Sequence, residues 1–115
     1  SRLLTTLADK GKFDEGQMSN YLRVVDSMKS DYERSRSLLV LMEHSKLSDD
    51  SLAKALAAVG NIKSDYEKSR VLQTVAARYD LSGALRETYI KAANSISGEY
   101  ERNRALAAVV KRATL

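Results

Sequence analysis

The segment Ser64-Asp65-Tyr66-Glu67-Lys68-Ser69-Arg70 occurs three times, with small changes, in this chain of 115 residues. The other two copies are Ser30-Asp31-Tyr32-Glu33-Arg34-Ser35-Arg36 and Gly98-Glu99-Tyr100-Glu101-Arg102-Asn103-Arg104. Each copy of this seven-residue motif starts 34 residues after the one before it. A fixed period of roughly 20 to 50 residues is typical of stacked repeat proteins, because one short unit cannot bury its own apolar face.

The period divides the chain into a partial repeat, 1–29, two full repeats, 30–63 and 64–97, and a partial repeat, 98–115. We expect these to form a single domain. Because the first and last residues fall inside repeats, we also expect the chain to be either a piece of a longer array or an array with unusual ends.

Each repeat has the pattern of two helices. The first begins with Ser-x-x-Glu, as in Ser64 with Glu67, which predicts a capping box in which hydroxyl and carboxylate each bind a free backbone amide. A second helix is predicted after N-caps at Asp14, Ser48 and Ser82. Seven helices follow, near 2–11, 15–28, 31–45, 49–61, 65–79, 83–95 and 99–113. The predicted fold class is all-α, a right-handed α-solenoid of antiparallel helix pairs.

The predicted core positions recur at helical spacing, i, i+3, i+4 and i+7. In the first helix of each repeat they are Leu38, Leu41, Met42 and Ser45; Leu72, Val75, Ala76 and Tyr79; and Leu106, Val109, Val110 and Ala113. In the second helix they are Met18, Tyr21, Leu22, Val25 and Met28; Leu52, Ala55, Leu56, Val59 and Ile62; and Tyr89, Ile90, Ala93 and Ile96.

The composition supports a helical domain with a mixed surface. Hydrophobic residues make up 43% and charged residues 30% of the chain, and no stretch predicts a membrane segment. There is no Pro to interrupt helices and no Cys for disulfides or a zinc cluster. The lack of Cys fits a reducing compartment and slightly favours the cytoplasm, but the sequence does not establish the compartment. The net charge of +4 comes from interleaved charges and indicates no nucleic-acid-binding tract.

A helix-turn-helix unit of 34 residues has the length of a tetratricopeptide repeat, but the aromatic, Leu-Gly and Pro pattern of that family is missing. The run Ser-Asp-Tyr-Glu-Lys-Ser-Arg resembles helical repeats, often described as HEAT-like, of uncharacterised bacterial proteins. Some of those proteins carry membrane sensor or antirepressor-type metallopeptidase domains. The resemblance covers the whole chain and implies a bacterial accessory solenoid. It carries over no catalytic residue, because nothing here matches a metallopeptidase zinc motif.

The strongest polar signal is the Tyr-Glu-x-x-Arg pattern inside each motif. We call its candidate residues the Tyr–Arg row: Tyr32, Arg36, Tyr66, Arg70, Tyr100 and Arg104. In one interpretation, guanidinium groups at one position per repeat bind a carboxylate-rich or phosphorylated partner. In the other, Tyr and Arg pack against the adjacent repeat as a structural ladder. We favour the ladder at this point, because the stability of a solenoid is a sum over neighbouring repeats.

The only histidine, His44, lies near acidic residues, but a single imidazole with mobile carboxylates is a poor metal-ligand set. Its counterparts are Lys10, Arg78 and Arg112, which indicates a basic row near helix C-termini, where cations complement the helix dipole. One His and no Cys also leave little material for a nucleophile and its base. We expect no enzyme activity, no metal and no cofactor.

The expected function is a non-catalytic scaffold that binds a protein or peptide on the concave face, as a module of a larger protein. The alternative is an RNA-binding module that uses the arginine row and the basic row. Nucleic acid is the less favoured partner, because each motif tyrosine stands beside acidic residues that repel phosphates. Apolar surface around Leu106, Val109 and Val110 is expected to drive self-association.

Overall fold

A computed structural model describes residues 15–114 of the chain. These residues form six α-helices and no strand, which confirms the all-α class. The helices are α1 (Glu15–Ser27), α2 (Asp31–His44), α3 (Asp49–Val59), α4 (Asp65–Arg78), α5 (Gly83–Asn94) and α6 (Glu99–Thr114). Seven helices were expected; the remaining one, near 2–11, lies outside the described residues.

The helices pack in two layers. The motif layer contains α2, α4 and α6, each of which begins with a copy of the motif, and α4 lies against both of the others. The second layer contains α1, α3 and α5, with α3 against both of the others. Consecutive helices connect the layers, as in α1 with α2 and α5 with α6. Helices 34 residues apart are therefore neighbours; the handedness of the stack stays a prediction.

Three of the expected serine N-caps are present. The hydroxyls of Ser30, Ser48 and Ser64 each accept the backbone amide hydrogen of the residue three positions later, at 3.2 to 3.3 Å. Ser82 is the exception, because its side chain makes no cap hydrogen bond. The helix that follows it begins at Gly83, where φ is 55°, a left-handed value that glycine adopts without strain. The remaining predicted cap, Asp14, lies outside the described residues.

The buried apolar side chains form one continuous cluster between the layers. Every predicted core residue of α1 and α3 is buried, as are those of the loops that follow them. The prediction is wrong for Val110, which is 52% exposed, and Leu106 is only partly buried. Among the described residues α6 packs chiefly on α4 and α5.

Two tyrosines of the second layer attach it to the motif layer. The hydroxyl of Tyr21 donates to the carbonyl oxygen of Ser37 at 2.9 Å, and that of Tyr89 donates to the carbonyl oxygen of Ala105 at 2.7 Å. The two pairs are equivalent, two periods apart in the sequence. Burial raises the pKa of Tyr21 to about 12 and raises that of Tyr89 as well, so both side chains are neutral donors at physiological pH.

Candidate partner-binding surface

The three tyrosines of the Tyr–Arg row lie on the surface. Each is the second residue of its motif-layer helix, and the exposed fractions are 56% for Tyr32, 57% for Tyr66 and 72% for Tyr100. Because α2, α4 and α6 are neighbours, these rings form a line across the layer. Three exposed tyrosines on neighbouring helices are available for contact with a partner.

The arginines of the row lie one turn further along the same helices, and Arg36, Arg70 and Arg104 are all exposed. Arg70 Nη1 lies 3.8 Å from Glu67 Oε2, and Arg104 Nη1 lies 3.5 Å from Glu101 Oε1. The side chains of the two arginines are 43% and 45% exposed, whereas those of the glutamates are 12% and 16% exposed. In these two repeats the guanidinium groups therefore lie further out than their paired carboxylates, whereas Glu33 of the first described motif is itself exposed.

Aromatic contact also holds the guanidinium of Arg104. Its Cζ lies 5.5 Å from the centre of the Tyr100 ring, within the range of a cation–π interaction. Tyr and Arg are four residues apart in every copy, a spacing that places side chains on one face of a helix. The carboxylate and the ring together restrict the position of this guanidinium without covering it.

A small cleft of about 140 Å³ separates α4 from α6 on this surface. It is lined by Tyr66, Arg70 and Gln73 of α4 and by Glu101 and Arg104 of α6. Arginines from two successive repeats thus flank the same cavity. The cleft has room for one side chain, given that a water molecule occupies about 30 Å³.

The polar contacts that join successive repeats come from a different motif residue, the aspartate. One carboxylate oxygen of Asp31 accepts from the backbone amides of Lys63, at 3.2 Å, and Ser64, at 2.9 Å. At Ser64, one of the two hydrogen bonds of the predicted capping box is therefore absent: the Ser64 hydroxyl accepts from the Glu67 amide, but the Glu67 carboxylate does not bind the Ser64 amide. The amide of Ser64 is bound by the aspartate of the preceding repeat, whereas Glu67 lies beside Arg70.

The fifth motif residue also joins helices, a contact that the sequence pattern did not predict. Lys68 is only 7% exposed, and its Nζ donates to Ser95 Oγ at 3.0 Å, beside the C-terminus of α5. Arg34 is equivalent, and its Nη1 donates to the carbonyl oxygen of Asn61 at 2.9 Å. A cation recurs at this position in all three copies, which indicates a shared role, but the sequence does not show which helix end the cation contacts.

The motif therefore divides into two sets of residues. Its aspartate and its fifth-position cation bind the backbone of following segments, while its tyrosine and its second cation, the arginine, are exposed. The ladder interpretation requires the Tyr–Arg row to carry inter-repeat packing. The polar bonds between repeats described above involve neither the tyrosines nor the arginines of the row, and the choice between the two roles stays open to experiment.

Two members of the basic row, His44 and Arg78, lie at the opposite end of the motif-layer helices, whereas Lys10 lies outside the described residues. His44 and Arg78 are the last residues of α2 and α4, as their sequence positions predict. Arg78 Nη1 donates to the carbonyl oxygen of Met42 at 3.1 Å, and the amide of Leu47 donates to the Tyr79 hydroxyl at 3.1 Å. A cleft of about 380 Å³ lies here, but these side chains serve the C-terminus of the neighbouring helix.

A third depression, of about 490 Å³, lies between α1 and α3 in the second layer. Two polar bonds cross it: Lys54 Nζ donates to Ser19 Oγ at 3.0 Å, and Asn61 Nδ2 donates to Asp26 Oδ1 at 3.2 Å. These bonds hold the two helices together. In residues 15–114 no group of three or more His, Asp or Glu side chains could hold a metal ion.

No protein-family model matches the chain, and no curated protein or solved structure shows significant similarity to it. Along the described segment, no helix combines the length and the apolar character needed to cross a bilayer.

Proposed function

We propose that the protein is a non-catalytic binding module that contacts a protein or peptide partner through the Tyr–Arg row. The observation that carries the proposal is the exposure of the same aromatic residue at the same position in three neighbouring helices. Tyrosine and arginine are enriched at protein interfaces, where they supply much of the binding energy. A surface of this composition is suited to a partner with extended contacts.

Comparison of the three copies supports a role beyond packing. Over the 18 positions that all three copies share, five residues are identical in each: Tyr, Glu, Arg and two leucines. Leu38 and Leu72, at the first leucine position, are fully buried, so packing explains that identity. The exposed tyrosine and arginine have no such explanation. Other positions on the same helices have diverged, for example Leu39, Gln73 and Ala107.

The charge distribution favours a protein partner over RNA. The arginines of the row alternate with glutamates, and the first motif turn adds Asp31, Asp65 or Glu99. A phosphate backbone carries a negative charge at every nucleotide, so some of its charges would lie against these carboxylates, whereas a peptide can place its charges opposite the guanidinium groups alone. RNA binding is kept as the alternative outcome of the test.

The resemblance to repeats of larger bacterial proteins supports a further part of the proposal, that the chain works as a module of a longer polypeptide. A stack of helix pairs presents an extended surface that a longer array would continue. The partner would then span several repeats, each of which contributes one tyrosine and one arginine.

The test is selection of peptides from a displayed random library on the wild-type protein, followed by affinity measurement with synthetic versions of the selected peptides. Replacing Tyr32, Tyr66 and Tyr100 together with alanine should weaken their binding at least about tenfold, because exposed aromatic anchors dominate such interfaces. A matched double variant of the second layer, Arg23→Ala with Lys91→Ala, should bind as the wild type does.

Two results would count against the proposal. One is selection of no peptide, or of peptides that bind the tyrosine variant and the wild type equally. The other is tight binding of a single-stranded RNA homopolymer with a steep loss of affinity on adding salt, which would favour the RNA alternative. Circular dichroism of each variant establishes that it is folded.

A further inference from the structure

The outward charge of the Tyr–Arg row points to a specific partner chemistry. A ligand that approaches α4 and α6 meets Arg70 and Arg104 first, since these side chains are about three times as exposed as Glu67 and Glu101 beneath them. Each arginine is held by its own glutamate, and Arg104 also by the Tyr100 ring. The surface therefore offers guanidinium groups that are already oriented.

The arginines also keep unused hydrogen-bond donors. A guanidinium carries five N–H donors in a rigid fork that matches a carboxylate. Among the described residues Arg104 makes one hydrogen bond, a long one of 3.5 Å to Glu101, and Arg70 makes an ion pair at 3.8 Å. Most of their donors are thus available to a carboxylate from outside, in the bidentate geometry that gives strong pairs.

The repeat sets the spacing between such sites. The cleft between α4 and α6 is flanked by Arg70 and Arg104, and the equivalent residues between α2 and α4 are Arg36 and Arg70. Packed helices lie about 8–10 Å apart, so the arginines of successive repeats recur at about that distance. Three residues of an extended chain span about 10 Å, and three residues of a polyproline II helix span about 9 Å. Side chains three residues apart would therefore reach successive pairs of arginines.

We propose that the partner is an extended acidic segment with carboxylate side chains at every third residue, one for each pair of successive arginines, and that it runs across α2, α4 and α6. This inference rests on the proposed function and specifies the partner of the same surface. Each carboxylate lies between arginines of two successive repeats, as in the cleft flanked by Arg70 and Arg104, and the exposed tyrosine of the repeat packs against the ligand backbone. Because Arg70 lies between Arg36 and Arg104 in the row, it contributes to two carboxylate sites.

The probe is a fluorescein-labelled peptide of repeated Glu-Pro-Pro units, whose prolines keep it extended and place glutamates on one side. The comparison peptide has the same length and the same number of glutamates, but these glutamates stand at every second residue and the remaining prolines are placed at its ends. Fluorescence anisotropy should show tighter binding of the three-residue spacing, on the order of tenfold. The same peptide with Gln in place of Glu should bind more weakly still.

Arg70→Gln should weaken binding of the Glu-Pro-Pro peptide on the order of tenfold or more, and Arg70→Lys should restore only part of it, because lysine cannot form the bidentate pair. Arg23→Gln, in the second layer, is the matched control and should leave affinity unchanged. If Arg70→Gln fails to fold, Arg104→Gln serves the same purpose at one cleft.

Equal affinity for both glutamate spacings, or no effect of Arg70→Gln, would overturn the inference. The proposed function can survive that result: library peptides without acidic residues that still depend on the three tyrosines would leave the binding role intact and exclude the acidic partner. If no peptide depends on the tyrosines, both proposals fail.

Discussion

Asp65, in the first turn of α4, accepts the backbone amide hydrogen of Gly98 at 2.8 Å, just before α6 begins. Its other oxygen accepts from the amide of Ser97 at 3.2 Å. One period earlier, Asp31 binds the equivalent amides, those of Lys63 and Ser64, through one of its carboxylate oxygens. One carboxylate per repeat thus binds amides at the start of the next motif-layer helix, where no intrahelical partner exists.

We expect Asp65→Ala to lower the free energy of unfolding by about 1–3 kcal/mol, because the partly buried amide of Gly98 and the exposed amide of Ser97 both lose a charged acceptor. Equilibrium urea unfolding measures this. The control is Asp50→Ala, which removes an exposed acidic residue from the first turn of α3 and should cost about 0.3–1 kcal/mol through the helix dipole alone. Equal losses in the two variants would contradict the role of Asp65 between repeats.

Local patterns predicted the helices well. The predicted range 65–79 compares with Asp65–Arg78 in the structure, and the serine caps explain why the starts agree closely. The core of α1 and α3 was also predictable, because each helix carries a single apolar stripe at helical spacing and that stripe is the face that becomes buried. Val110 shows the limit of the pattern, since periodicity gives a face but not whether another helix covers it.

The contacts of the candidate surface were less predictable. Nothing local to Asp31 shows that its carboxylate reaches Ser64, because the bond depends on how neighbouring repeats are placed. Tyr66 was ambiguous for a different reason: a tyrosine suits both a core and a surface, and the sequence does not show that the ring is 57% exposed. The recurrence of the motif was visible in the sequence, but the division of its residues between inter-repeat contacts and exposed surface depends on how the helices pack.

The two buried tyrosines predict a loss of stability in alkali. Burial raises the pKa of Tyr21 from 10.0 to about 12, so the unfolded chain ionises before the folded one as pH rises. The stabilisation is complete below pH 10 and is lost between about pH 10 and 12, by up to about 1.4 kcal/mol per pH unit for this group. Urea unfolding at a series of pH values measures the loss.

Tyr21→Phe should make the stability profile flatter over that interval, at a cost near neutral pH of about 0.5–1.5 kcal/mol for the lost hydrogen bond to Ser37. The exposed Tyr66 provides the control, and Tyr66→Phe should leave the alkaline slope unchanged. The same slope in both variants would show that the buried hydroxyl does not contribute to the pH dependence.

Equivalent leucines should differ in cost according to their burial. Leu72 is fully buried between α4 and its neighbours, so Leu72→Ala should destabilise by about 2–5 kcal/mol. Leu106 holds the same position in the last described helix but is only partly buried, and Leu106→Ala should cost clearly less. Denaturant unfolding of both variants gives the comparison, and equal losses would argue against a stack in which each helix depends on its neighbours.

The Tyr–Arg row gives a direct choice between the ladder and the binding surface. The Arg70 side chain is 43% exposed and its ion pair with Glu67 is long, so Arg70→Ala should change the free energy of unfolding by no more than about 1 kcal/mol. Tyr66→Phe, on an exposed ring, should change it even less, and the double variant should show additive effects. A ladder would instead give a loss above about 1 kcal/mol for Arg70→Ala and coupling between the two substitutions, since both side chains would then share buried contacts across repeats. Urea unfolding of these variants and of Asp65→Ala under the same conditions gives the comparison. A small, additive effect of Arg70→Ala and Tyr66→Phe beside a larger loss for Asp65→Ala would show that the aspartate stabilises the repeat and that the tyrosine and arginine are available to a partner.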